Sequence, residues 1–119
     1  MRIYTMLLKP PLVSLETIEA EFNQHVAECV GILTDEPGGD RASRKSKTYA
    51  KMAKVTGDTQ MALVVKTADR LANVQACVND SNQRLLDIYR AEHPIFKKSV
   101  YRPDLCDALW KKLDALIAL

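Results

Sequence analysis

The sequence predicts an all-α fold, a bundle of about five to six helices with a short strand-like extension at its start. Three observations lead there: apolar residues recur at helical spacing along most of the chain, capping or helix-stopping residues bound each such run, and only Ile3 to Leu8 reads as a strand.

Taken in order, Ser14 caps a first helix through Leu15, Ile18 and Phe22, and Asn23 offers it a left-handed stop. Val26, Cys29, Val30 and Leu33 carry a second helix over Gln24 to Leu33. The stretch DEPGGD, Asp35 to Asp40, is the one loop-like shift in composition. A third helix is expected from about Arg41 to Val55, closed by Gly57, with Asp58 capping a long fourth helix over Thr59 to Val78. Asn79 to Ser81 form a turn, and Leu85, Ile88 and Tyr89 mark a helix over Asn82 to Glu92. Proline cannot continue a helix from within, so Pro94 is expected to open a fresh turn and Pro103 the last helix, whose stripe is Leu105, Leu109, Leu113 and Leu116.

Composition narrows the class. With 119 residues, 47% apolar and 27% charged, the chain fits a single globular domain, residues 1–119. A net charge of +2 argues against a nucleic-acid partner, which needs clustered Lys and Arg. Cys29, Cys77 and Cys106 are scattered and odd in number, as in a reduced cytoplasmic protein. Lys9 and the Pro10-Pro11 pair end the first apolar run too early for a signal peptide or a membrane span, so neither export nor a membrane partner is expected.

Some polar residues face the wrong way. At helical spacing the fourth helix is apolar on two sides, Leu63, Val64, Leu71, Val74 and Val78 on one and Ala62, Val65, Ala72 and Ala76 on the other. Asp69 falls within the second side, with Lys66 a turn before and Asn73 a turn after. A buried carboxylate needs a partner, and Lys66 or a helix N-terminus is the simplest one. Arg70 projects from the flank as a surface or salt-bridge residue. On the third helix Arg44, Lys47, Lys51 and Lys54 share a solvated face, whereas Lys45 lies with Ala42, Tyr49, Met52 and Ala53 toward the core, a position from which its stem can snorkel to water.

The segment ADRLAN, with LTDE upstream and IYRAEHPIFKKSVY downstream, resembles the HD-domain phosphohydrolases, in particular the small guanosine-tetraphosphate (ppGpp) hydrolases. The likeness runs from about Val13 to the end and covers SLETIEAEF, QHVAECVGILTDEP, RASRKSKTYAKMA and DTQMALVVKTADRLANVQ, leaving residues 1–12 as a divergent extension of a truncated HD-domain-like bundle. It implies that Asp69 matches the last metal ligand, and Asn73 a substrate-contacting asparagine. It also places Lys45 near a substrate phosphate and Tyr89 at an aromatic contact; Lys66, a turn before Asp69, joins Lys45 and Asn73 as a candidate for holding an anionic nucleotide.

These enzymes hold a divalent metal, usually manganese, with a His, a His-Asp pair and the final Asp. The stretch preceding SLETIEAEF reads MRIYTMLLKPPLV, and no His-Asp dipeptide occurs in the chain. The only histidines, His25 and His93, read as surface residues. One carboxylate cannot make a tight metal site. Asp69 is therefore expected to be a vestigial ligand, with no metal bound, no cofactor and no efficient hydrolysis. Without the early helices of the family an apolar face lies uncovered, and either Ile3 to Leu8 folds back over it or that segment pairs with its copy, so a homodimer or larger homo-oligomer is expected. Three functions follow: a degenerate HD-domain protein that keeps weak anionic-nucleotide binding; an oligomerising structural or interaction module in which Asp69 is salt-bridged to Lys66; or a fragment of a metal-dependent nucleotide pyrophosphohydrolase.

Overall fold

The computed structural model describes residues 24–119. The expected helix from Ser14, the strand-like Ile3 to Leu8 and the extension 1–12 lie outside them. The described residues form five α-helices and no strand: α1 Gln24–Leu33, α2 Arg41–Ala53, α3 Met61–Asn79, α4 Gln83–Val100 and α5 Asp107–Ile117, with a 3₁₀ turn over Gly57–Gln60. The all-α bundle of about five helices is thus what the sequence predicts. None of these helices is long and apolar enough to cross a membrane.

Helix α3 runs through the middle, packed against α1, α4 and α5, while α2 lies along α4. Its two-sided apolar pattern accounts for that place, although Val65 remains 44% exposed. The main core gathers Met52, Leu63, Val74, Leu86, Val100 and Leu113 around a chain of rings. Tyr49 meets Phe96 edge-on at 5.7 Å between centroids, Phe96 meets Trp110 at 5.6 Å, and Trp110 meets Tyr101 at 5.7 Å. Such offset and edge-on pairs favour each other beyond the area they bury.

Helix starts follow local chemistry. Asp40 caps α2 by accepting from the Ser43 amide at 2.7 Å, and Asn82 caps α4 by accepting from the Leu85 amide at 3.2 Å. Gly57 takes a φ of +70°, which suits it to the turn between α2 and α3.

Three expectations need correction. Pro94 does not break the fourth segment: α4 continues through it to Val100. Leu86, Tyr89, Phe96 and Val100 keep one helical stripe on both sides of the proline and are all buried, so packing outweighs the lost hydrogen bond. Pro103 does not open the last helix, because Asp104 and Cys106 adopt left-handed backbone at φ 65° and 54°, which delays α5 to Asp107. The helix expected at Thr59 begins as the 3₁₀ turn and becomes α-helical only at Met61.

Arg102 joins the end of α2 to the end of α4. Its Nη2 donates to the carbonyls of Met52, Ala53 and Val55 at 3.1 to 3.3 Å, and its Nη1 to those of Ser99 and Tyr101 at 3.0 Å. The last carbonyls of a helix lack intrahelical partners and carry partial negative charge, so a guanidinium there satisfies both needs. Replacing Arg102 by Ala is expected to lower the unfolding free energy by about 2 kcal/mol in urea titration, with Lys recovering less than half.

Candidate functional site

The polar centre is built from the α1–α2 loop and helices α2, α3 and α4. Glu92, on α4, is its hub. Its Oε2 accepts from Arg41 Nε at 2.7 Å, and its Oε1 accepts from Arg41 Nη2 at 3.1 Å and from the Tyr49 hydroxyl at 3.3 Å. Arg70 Nη1 lies 3.4 Å from the same Oε1, an ion pair without hydrogen-bond geometry, while its Nη2 donates to the Tyr49 hydroxyl at 2.8 Å. Only 4% of Arg70 is exposed, and its guanidinium carbon sits 4.1 Å from the Phe96 ring centre and 4.7 Å from that of Tyr89. Arg70 is therefore a buried, ring-sandwiched salt-bridge residue and not a surface one. Burial alone would raise the Glu92 carboxyl, but Arg41 and then Arg70 outweigh it and hold the group below its usual range.

A second pair adjoins the first. Lys45 Nζ reaches both carboxylate oxygens of Asp35 at 3.0 and 3.2 Å, and only 13% of its side chain is exposed. Lys45 thus turns inward as expected, onto a carboxylate and not out to water. Burial would raise the Asp35 carboxyl; Lys45 overcomes that and lowers it.

Lys66 and Asp69 are the unusual members. Lys66 is 3% exposed and pairs with no carboxylate among the described residues. Burial lowers its ammonium to about 8, and the charge of Lys45 pushes the same way. Asp69, half-buried a turn later, likewise makes no ion pair among the described residues; burial raises its carboxyl, opposed by Lys66, Arg70 and Lys45. The direct Asp69–Lys66 salt bridge is therefore absent, although each feels the other's charge. Asn73 is buried, and its Oδ1 has no hydrogen-bond partner among the described residues.

Lys45, Lys66 and Asp69 consequently share one electrostatic neighbourhood, and Tyr89 joins it beneath Arg70 and Arg41. Asn73 extends the α3 face of that neighbourhood. Sequence reasoning missed Glu92, Arg41 and Tyr49. The signal for Glu92 was its place one turn after Ile88 on the inward edge of α4, which periodicity alone reads as polar boundary.

Four cations, Arg41, Lys45, Lys66 and Arg70, stand against three carboxylates, Asp35, Asp69 and Glu92. The resident metal of the resembled family does not fit this setting. No three His, Cys, Asp or Glu side chains converge among the described residues, and Asp69 is ringed by ammonium and guanidinium groups that oppose a divalent cation. The histidines are engaged elsewhere: His25 is exposed near Cys29, and His93 is not a surface residue, its Nε2 lying 2.7 Å from Asp114 and its ring against Trp110.

No family model, no curated protein and no solved structure matches the chain.

Proposed function

We propose that the polar centre is a phosphate-binding site in a degenerate HD-domain-like protein that binds an anionic nucleotide without turning it over. The likeness of ADRLAN to the ppGpp hydrolases supports this reading, and one structural observation carries it: Lys66 is a buried ammonium beside another cation, with no carboxylate paired to it. A charge so placed is costly unless an anion joins it. A ligand phosphate fits the need, since Lys45 and Lys66 supply the charge and Asn73 can donate its amide hydrogens. Asp69 lies in the field of three cations, Lys66, Arg70 and Lys45, which agrees with the reading that it holds no metal.

Isothermal calorimetry with pyrophosphate and guanosine tetraphosphate tests the proposal. Saturable binding in the range of about 10–500 µM is expected at low salt, weakening as salt rises. Absence of heat at millimolar ligand removes it.

A second reading has its own support. Arg41, Arg70 and Lys45 already hold internal carboxylate partners, as the members of a purely structural network would. On that reading the bundle is an interaction or oligomerising module, and Asp69→Asn changes stability or assembly. On the phosphate-site reading the same substitution strengthens pyrophosphate binding about threefold, by removing a negative charge beside the ligand, and leaves assembly unchanged.

A further inference from the structure

The α2–α4 face carries a groove of about 840 Å³ that shares Arg41, Lys45, Tyr49 and Glu92 with the polar centre. Beyond them, and apart from Ser46, Lys98 and Ser99, its lining is apolar. Ala42, Ala50 and Ala53 of α2 and Ala91 of α4 are exposed, and Ile95 is 55% exposed. Small side chains on α2 keep the groove open, and its volume falls within the range of small-ligand sites. Water-exposed apolar surface that continues directly into a cationic cluster matches a molecule with both characters.

Charge selects among occupants. The groove is lined by three cations, Arg41, Lys45 and Lys98; Glu92 balances Arg41 and Asp35 balances Lys45, which leaves the charge of Lys98 in excess. Two copies placed groove to groove would set like charges against each other, whereas an anion is drawn in. From this we infer that the groove is the subsite for the body of an amphipathic anion: its phosphate or carboxylate head lies at Lys45, the cation that the groove shares with the phosphate site, and its apolar chain or ring lies along the alanine floor. The head position rests on the phosphate-site reading; the tail position rests on the groove.

Calorimetry on the full chain with inorganic phosphate, decyl phosphate below its micelle concentration, and decyltrimethylammonium separates the two. Decyl phosphate is expected to bind at least about tenfold more tightly than inorganic phosphate, because the chain buries apolar surface. Ala50→Phe and Ala91→Phe, on two different helices and both at exposed positions, are expected to close that gap and leave inorganic phosphate unaffected, with circular dichroism reporting an intact bundle. Equal affinity for the two phosphates, a gap that persists in both variants, or equally tight binding of decyltrimethylammonium overturns the inference. Phosphate binding without any gain from the chain does so while leaving the phosphate site in place. A chain that elutes as a dimer dissociated by Ala91→Phe also overturns it, and assigns the groove to a second copy.

Discussion

Glu92→Ala is expected to lower the unfolding free energy by about 3 kcal/mol at pH 7, the largest effect of any single substitution in the polar centre. The change leaves Arg70, 4% exposed and wedged between Phe96 and Tyr89, without its counter-charge, and releases Arg41 and the Tyr49 hydroxyl together. Removing one partner of a buried pair costs more than the pair itself contributes, because the remaining charge stays in a poorly hydrated place. Urea titration gives the value, and a loss below about 1 kcal/mol contradicts the hub role. Acid adds a second readout. Glu92's carboxyl is lowered in the folded state, so its contribution is complete above the unfolded carboxyl's value of 4.5 and disappears as pH falls through the lower folded value. Glu92→Ala should lack that part of the acid slope.

Lys66→Met is expected to do the opposite, raising stability by about 1–2 kcal/mol at pH 7 while abolishing pyrophosphate binding. Methionine fills similar space without an ammonium, and the removed charge is one that burial and Lys45 already disfavour. Its pH dependence follows from the same lowering. Between about 8 and the ordinary 10.5 the unfolded chain holds a proton at Lys66 that the folded chain has released, so wild-type stability gains with rising pH across that window. The lowering from 10.5 to about 8 corresponds to about 3 kcal/mol, and most of that gain should fall between pH 7.5 and 10.5, shifting the difference between wild type and Lys66→Met in favour of wild type. A purely structural network predicts the reverse sign, with Lys66→Met destabilising at neutral pH.

Much of the fold was legible because helical periodicity and caps are local properties. Val26, Cys29, Val30 and Leu33 predicted α1 and its end at Leu33, and Asn79 to Ser81 marked the turn before α4. What failed was long-range. Pro94 carries a strong local signal for a break, but only the three-dimensional core shows that Tyr89 and Phe96 must lie on one uninterrupted stripe. Likewise nothing in RPDLCD announces left-handed backbone at Asp104 and Cys106.

The candidate site was legible by halves. Lys45, Lys66, Asp69 and Asn73 stood out because each breaks an apolar pattern, and the structure sets the first three within one another's field. Arg70 and Glu92 break no pattern on their own helices. Their weight comes from meeting across α3 and α4, with Arg41 reaching in from α2, a meeting fixed by sequence separations that no local window spans. The partner of Asp69 was misassigned for a related reason: Lys66 is a turn away on the same helix, yet neither side chain reaches the other.

Titration of the Lys66 side chain by heteronuclear NMR, with and without pyrophosphate, tests the central claim most directly. A free ammonium titrating near 8, moving upward by at least one unit when pyrophosphate is added, is the predicted result. An ordinary lysine value near 10.5 that pyrophosphate leaves in place would contradict it.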